Sequence, residues 1–213
     1  MKLKICGMKY SENVAALRAL GPDYLGFIFH PASSRYMGES LAPAFVRSME
    51  GCQKVGVFVD HSVEAVAGLV DCYDLDMAQL HGRESPADCA QVQALGIPVI
   101  KVFSVDAGFD FRLTAPYEAH CSYFLFDTKG KLPGGNGVVF DWNQLENYTG
   151  ALPFFLSGGI GPEHAEALRD FAHPKLHALD VNSRFETAPG SKDAGLLRIF
   201  QQNLSDATTY GNR

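Results

Sequence analysis

Short runs of apolar and β-branched residues recur along this chain and are separated by longer, mixed segments. There are eight such runs, and their starts lie roughly 20 to 30 residues apart, a spacing that fits a strand, a loop and a helix. We therefore predict eight β-strands, at residues 3–6, 24–29, 54–58, 77–80, 99–103, 123–127, 154–157 and 178–181.

Helical patterns fill the segments between these runs. The first is predicted to begin at a capping Ser11 and to end at Gly21, with Val14, Leu17 and Leu20 repeating every three residues. A second has Ser85 as its N-cap and Pro86 at its first position.

Three later segments complete the helical prediction. One opens at Pro162, and another covers residues 192–204 near the end of the chain. The segment that precedes the sixth strand is broken by Pro116, so its helical pattern is the weakest.

Eight strand–helix alternations in one chain predict a compact (β/α)8 TIM barrel, an α/β fold. The alternative is a doubly wound open sheet, which often carries a glycine-rich GxGxxG first turn, and this sequence has none. Because no linker or low-complexity stretch divides the chain, we expect residues 1–213 to form one domain.

Composition narrows the function. The net charge is −6 and the isoelectric point about 5.6, which argues against a nucleic-acid surface. An anionic small molecule would need local positive potential from backbone N–H groups and a few Arg or Lys side chains.

With no long apolar stretch we expect no membrane segment. An odd number of cysteines without a CxxC pair indicates reduced thiols and a cytoplasmic protein: Cys6, Cys52, Cys72, Cys89 and Cys121.

Two candidate acid–base groups end predicted strands. In a TIM barrel the carboxyl ends of the strands and the loops after them form the active face, and Cys6 and Asp127 both lie there. A thiol at this place can act as a general base or as a nucleophile, and a carboxyl can act as a proton donor if its pKa is raised. The alternatives are a small buried hydrophobe for Cys6 and a loop-capping carboxylate for Asp127.

Candidate anion-binding groups follow the second, seventh and eighth strands. Gly158 and Gly159 allow close approach of backbone to a ligand ahead of a helix start, and Asn182 and Ser183 add polar groups after strand eight. Arg35, after the second strand, is suited to two-pronged binding of a carboxylate. The alternatives are a plain tight turn for the glycines and a solvated surface position for the arginine.

Other polar features are less informative. His81 ends another strand and would line a pocket or serve a structural role. His173 and His177 are separated by Pro174 and have no third ligand nearby in sequence, so we expect no metal site. The glycine-rich residues 134–137 would form either a mobile loop over the site or a turn.

Nine segments in order resemble the phosphoribosylanthranilate isomerase family of tryptophan biosynthesis. The resemblance covers nearly the whole chain, and its motifs are KICGM (4–8), LGFIFHPASSRYM (25–37), KVGVFVD (54–60), QLHG (79–82), FLFDTK (124–129), GGNGVVFDW (134–142), LSGGI (156–160), LDVNSRFE (179–186) and PGSKD (189–193).

The resemblance implies a reaction and a site. The family converts N-(5′-phosphoribosyl)anthranilate to an open-chain amino-ketose phosphate by an Amadori rearrangement, without a metal or an organic cofactor. Matched by motif, Cys6 is the general base, Asp127 is the general acid and Arg35 holds the anthranilate carboxylate. The phosphate would be held by Gly158, Gly159, Asn182 and Ser183.

Two positions depart from the family pattern. Ser34 stands where many members have proline, which puts the stiffness of the loop around Arg35 in doubt, and Arg184 stands where many have glycine. Arg184 would either add a phosphate contact or point away from it.

The remaining alternatives concern other ligands and assembly. Another TIM-barrel enzyme of sugar phosphates would be expected to carry metal ligands or a Lys–Glu pair instead. A non-catalytic barrel that binds a phosphorylated ligand would need only the anion site. The acidic surface favours a monomer.

Overall fold

The computed structural model describes residues 1–128 and 141–205. Eight parallel strands close into a barrel in chain order, each one paired with its sequence neighbours and β8 paired with β1. All eight predicted strands are confirmed to within about two residues at either end. They are β1 (Lys2–Cys6), β2 (Tyr24–Ile28), β3 (Gln53–Phe58), β4 (Met77–Leu80), β5 (Val99–Val105), β6 (Tyr123–Thr128), β7 (Phe154–Leu156) and β8 (Leu176–Val181).

The barrel interior changes character along its axis. Toward the amino ends of the strands it is filled by apolar side chains that include Tyr24, Val55, Leu125 and Phe155. Toward the carboxyl ends the inward positions become polar, with Cys6, Gln79, Asp127, Ser157 and Asp180. Because successive strand residues face opposite sides, one row of side chains on each strand faces the helices and the other faces the barrel interior. On several strands the interior row ends in a polar side chain at the cavity.

Helices lie outside the barrel. Four α-helices follow the first four strands: α1 (Ser11–Arg18), α2 (Pro43–Arg47), α3 (Val63–Tyr73) and α4 (Pro86–Ala94). The predicted cap of α1 is wrong, because Tyr10 is the N-cap and has no capping side chain, so Ser11 is the first helical residue. The predicted cap of α4 is confirmed, and Ser85 forms a reciprocal capping box with Asp88.

The second half of the barrel has shorter helices. The segment with Pro116 is a 3₁₀ helix (Phe111–His120), and a second 3₁₀ helix covers Trp142–Asn147. The predicted helix at Pro162 is a 3₁₀ turn (Pro162–His164) that leads into α5 (Ala165–Asp170). The last helix, α6, spans Ala194–Ser205. Among the described residues, no helix is long and apolar enough to cross a bilayer.

A small hairpin that the strand pattern did not predict follows β8. It consists of β9 (Glu186–Ala188) and β10 (Ser191–Lys192), antiparallel to each other. Asn13 of α1 forms two hydrogen bonds with the backbone at the end of β10. Its side-chain amide donates to the carbonyl of Lys192 at 2.7 Å, and the N–H of Lys192 donates to Asn13 Oδ1 at 2.9 Å. The hairpin is therefore fixed to α1, where it brings Glu186 and Lys192 to the mouth of the barrel.

Candidate active site

A cavity that is partly open to solvent lies at the carboxyl ends of the barrel strands. This is the expected position for a site in this fold. All seven residues that the sequence proposed line it: Cys6, Arg35, Asp127, Gly158, Gly159, Asn182 and Ser183.

Cys6 is the last residue of β1 and is only 4 % exposed. Its neighbour across the strand pair is Gly26 of β2. A Cβ atom at Gly26 would come within 2.8 Å of the Cys6 sulfur, so only glycine leaves the thiol its place.

A buried ion pair lies directly beneath Cys6. Lys4 precedes Cys6 by two residues and so faces the same interior, and its fully buried ammonium donates to Asp180 Oδ1 of β8 at 2.7 Å. Ser157 donates to the second oxygen of Asp180 at 3.0 Å. The sequence analysis missed Lys4 and Asp180, although a lysine two residues before a candidate base, inside a strand, was the available signal.

Burial and nearby charges act in opposite directions on the pKa of the Cys6 thiol. Burial raises the pKa of Cys6, the ammonium groups of Lys4 and Lys192 oppose that rise, and the Asp180 carboxylate adds to it. The net direction is upward, because loss of hydration outweighs the two cations. Forming the thiolate that a base requires therefore depends on the charges around it.

Asp127 lies in β6 on the far side of the cavity, three strands around the barrel from Cys6. Its side chain is 15 % exposed, and its Oδ2 lies 3.5 Å from His81 Nε2. The other ring nitrogen of His81 lies 3.3 Å from the amide nitrogen of Gln79. His81 thus lines the pocket, as one of its two sequence interpretations held, and links the carboxyl to a buried amide.

Arg35 is held by a residue that the sequence analysis did not single out. Its Nε and Nη2 donate to the Glu186 carboxylate of β9 at 2.8–3.0 Å. Lys192 also donates to Glu186, and to Asn182 Oδ1 at 2.6 Å. Burial alone would raise the pKa of Glu186, but the hydrogen bonds and charges of Arg35 and Lys192 hold it below its usual range. One edge of the guanidinium is thus occupied, and within residues 1–128 and 141–205 no hydrogen bond is made by Nη1, so the Nη1–Nη2 edge is suited to a ligand.

The loop that carries Arg35 is fixed without a proline at Ser34. The N–H of Ser33 donates to the carbonyl of His30 at 3.0 Å, and that of Tyr36 donates to the carbonyl of Ser33 at 2.9 Å. The Ser33 hydroxyl accepts from the N–H of Arg35 at 3.1 Å. These hydrogen bonds form a turn around Ser34 and restrain the loop that carries Arg35.

The loop after β7 is shaped by two glycines. Gly158 and Gly159 have φ values of +93° and +68°, a region in which side chains are strained. A Cβ atom at Gly158 would come within 2.3 Å of the backbone nitrogen of Thr128. Asn182 and Ser183 follow the neighbouring strand β8 and line the same cavity, so the two loops form one cradle.

Arg184 also lines the cavity. Its guanidinium donates to Glu163, which belongs to the turn that follows the glycine loop. The charge is about 42 % exposed, so a ligand can reach it.

Two further predictions concern other parts of the chain. His177 bonds to the Tyr24 hydroxyl at 2.7 Å at the amino ends of the strands, away from the cavity. Within residues 1–128 and 141–205 there is no group of three or more side chains arranged to hold a metal. The glycine-rich residues 134–137 lie outside the described residues.

Comparisons with known proteins identify the family of the chain. Residues 3–203 match the family model described as N-(5′-phosphoribosyl)anthranilate (PRA) isomerase. The N-(5′-phosphoribosyl)anthranilate isomerase of Parabacteroides distasonis is 42 % identical over 214 residues, which covers 99 % of this chain and 97 % of that protein.

Solved structures share the barrel over nearly its full length. The phosphoribosyl anthranilate isomerase of Thermus thermophilus has a TM-score of 0.82 and 32 % identity, with coverage of 96 % of this chain and 98 % of that one. With the same coverage, a phosphoribosyl anthranilate isomerase in complex with reduced 1-(o-carboxyphenylamino)-1-deoxyribulose 5-phosphate has a TM-score of 0.79 and 30 % identity. A structure of monomers generated from the dimeric enzyme of Thermotoga maritima has a TM-score of 0.78 and 30 % identity, again at 96 % and 98 % coverage.

The family model covers most of the chain, and the fold and the cavity agree with it. This chain belongs to the N-(5′-phosphoribosyl)anthranilate isomerase family of tryptophan biosynthesis.

Proposed function

We propose that Cys6 and Asp127 carry out the two proton transfers by which this chain isomerises N-(5′-phosphoribosyl)anthranilate. The observation that carries the proposal is that both groups line one cavity together with a free guanidinium edge and a glycine cradle. The substrate has a carboxylate at one end and a phosphate at the other. It therefore needs two anion sites with an acid and a base between them.

Asp127 acts first. A protonated Asp127 donates to the ribose ring oxygen, the bond from that oxygen to C1′ breaks, and the nitrogen lone pair forms a C1′=N iminium. The placement of Asp127 at the cavity wall, with its carboxyl partly exposed and close to His81, supports this step, because the group can be reprotonated between turnovers.

Cys6 acts second. The iminium makes the C2′ proton acidic, and the Cys6 thiolate removes it. The released electron pair forms the C1′=C2′ bond and neutralises the nitrogen. The enolamine then tautomerises to the ketone. The depth of Cys6 supports the assignment, because water is kept from the carbanion-like centre and the thiolate is fixed by β1.

The two ends of the substrate orient it. The remaining edge of Arg35 receives the anthranilate carboxylate, and Glu186 keeps the guanidinium in place. The backbone of Gly158 and Gly159, together with Asn182 and Ser183, receives the phosphate. Holding both ends positions C1′ and C2′ between Asp127 and Cys6, which is worth orders of magnitude in rate.

The test is a fluorescence assay that follows loss of freshly prepared phosphoribosylanthranilate, with EDTA present. We expect Cys6→Ser and Asp127→Asn each to lower kcat by about 10²–10⁴-fold while still binding a reduced product analogue. An unchanged kcat in either variant would refute the role of that residue. A wild-type chain that binds the analogue without turning the substrate over would point to a binding protein.

We further propose that the chain works as a monomer in the cytoplasm. In the described part of the chain the large exposed apolar side chains come from five separate places in the sequence, which supports a monomer: Met1, Tyr10, Leu95, Leu113 and Ile199. All five cysteines are free thiols, as expected for a reducing compartment. Light scattering after gel filtration should give a mass near 23.2 kDa, and twice that mass would establish a dimer instead.

A further inference from the structure

The charged groups around Cys6 do not balance. Lys4, Arg35 and Lys192 are cationic, whereas Asp180 and Glu186 are the carboxylates bonded to them. Lys4 lies two residues before Cys6 in β1, and a Cβ built on the next residue, Gly7, would lie 3.0 Å from the Arg35 side chain and 3.4 Å from Lys192 Nζ. The ammonium groups of both lysines act to lower the pKa of Cys6. The neutral thiol thus faces a group with one positive charge in excess, and a thiolate would balance it.

The other titratable groups that face the cavity lie on other elements. Asp127 of β6 and His81 of β4 lie against each other on the opposite wall. Arg184, after β8, is bonded to Glu163. His30, from the loop after β2, completes the titratable groups that line the described part of the cavity.

Lys192 is the member of this group that calls for an explanation. Its side chain is fully buried, and burial lowers its pKa, although the Glu186 carboxylate opposes that effect. Glu186 is already bonded by Arg35 and by the N–H of Gly190, so it does not need a second cation. A buried ammonium is costly, and an apolar residue of the same size would stabilise the fold as well or better.

We propose that Lys192 is a positioning residue for the isomerase reaction, delivered by the β9–β10 hairpin so that its ammonium stabilises the thiolate of Cys6. Lys4 holds the thiolate from within the barrel and Lys192 holds it from the mouth. No chemistry passes through Lys192 itself: the proton leaves C2′ for the Cys6 sulfur, and Lys192 stays protonated. The inference rests on the proposed role of Cys6 as the base.

The test measures the thiol directly. Wild type and Lys192→Met are treated with iodoacetamide over a range of pH, and modification of Cys6 is followed by mass spectrometry of its peptide. We expect the midpoint of the Lys192→Met profile to move up by about one pH unit, so that alkylation of Cys6 at a fixed pH below both midpoints falls about tenfold. The acidic limb of kcat/KM should move in the same direction by a similar amount.

Two further variants test the direction of the shift in the Cys6 midpoint and whether the shift is specific to Lys192. Glu186→Gln removes a negative charge beside Lys192 and should move the Cys6 midpoint down. Lys54→Met is the matched control, because Lys54 is also a buried lysine in an ion pair, but it bonds Asp74 on the outside of the barrel. It should leave the Cys6 midpoint unchanged.

The outcomes separate this inference from the proposed function. If Lys192→Met loses activity while the Cys6 midpoint stays in place, Lys192 only supports Asn182 and Glu186, and the inference is wrong. If Lys192→Met does not fold, an unmoved or raised midpoint in Glu186→Gln overturns it equally. If Cys6→Ser keeps its activity, the base assignment fails, whatever the alkylation profiles show.

Discussion

Replacing Gly158 by alanine tests how closely the phosphate cradle is fitted to the barrel. The backbone there has a φ of +93°, which by itself costs an L-residue about 1–2 kcal/mol. The new Cβ would lie 2.2 Å from Thr128 Oγ1 and 2.3 Å from its backbone nitrogen, whereas real Cβ contacts essentially never fall below 3.0 Å. The hydroxyl can rotate, but the nitrogen belongs to β6 and cannot move.

The loop must therefore retreat by roughly 0.7 Å, and a displacement near 1 Å can cost about 10²-fold in rate. We expect Gly158→Ala to lower kcat/KM by about 10–100-fold, mainly through KM, because the proposed function places the phosphate, and not the reacting carbons, at this loop. Strain and contact together should destabilise the fold by about 2–4 kcal/mol, which lowers Tm by roughly 5–15 °C in a chain of this size.

Gly51→Ala provides the matched control. Gly51 has a φ of +82°, and a Cβ there would meet nothing within 4 Å, so it isolates the cost of the backbone conformation. Both variants are compared by thermal unfolding and by steady-state kinetics. We expect Gly51→Ala to lower Tm by only a few degrees and to leave KM unchanged. Equal Tm shifts and a wild-type KM in Gly158→Ala would refute the argument from close contact.

Three other changes have distinct expected results. Arg184→Gly removes a cation from the cradle and its exposed ion pair with Glu163. KM should rise about 3–10-fold at nearly constant kcat, and the free energy of unfolding should change by less than about 1 kcal/mol. An unchanged KM would show that this arginine does not reach the phosphate. Gly26→Ala places a Cβ 2.8 Å from the Cys6 sulfur and should lower kcat about 10-fold or more in the same assay, whereas a wild-type kcat would mean that the thiol has room to shift. Burial lowers the pKa of His177, so the folded protein binds a proton at this ring less readily than the unfolded chain does. The stability that results is present above pH 6.5 and is lost as the pH falls below it. His177→Gln should therefore flatten the fall of Tm between about pH 7 and pH 5, and an equally steep fall would exclude His177 as its source.

The barrel was readable from the sequence because its strands are buried on both faces. Such strands form compact apolar runs, and their regular spacing shows the alternation with helices. The cap of α1 was wrong because Ser11 is equally compatible with the last residue before the helix and the first one in it. The β9–β10 hairpin was missed because its strands are too short and too polar to give a period.

The sequence predicted which residues line the site, but not the hydrogen bonds and ion pairs that join them. Cys6, Asp127 and Arg35 end strands or follow them directly, so topology alone brings them to one face. The bond from Arg35 to Glu186 joins residues 151 apart, and the bond from Lys4 to Asp180 joins residues 176 apart. Charge compensation of this kind depends on three-dimensional closure, which no local pattern records.

The seam between β1 and β8 also has a consequence for folding. Lys4 finds its carboxylate on the last strand, and Asn13 binds the hairpin at Lys192, 179 residues later. A chain emerging from the ribosome would therefore carry an unpaired lysine in its growing sheet until nearly its whole length is available. The charged surroundings of Cys6 therefore draw on both ends of the sequence, and a chain truncated before Asp180 would lack three of their members: Asp180, Glu186 and Lys192.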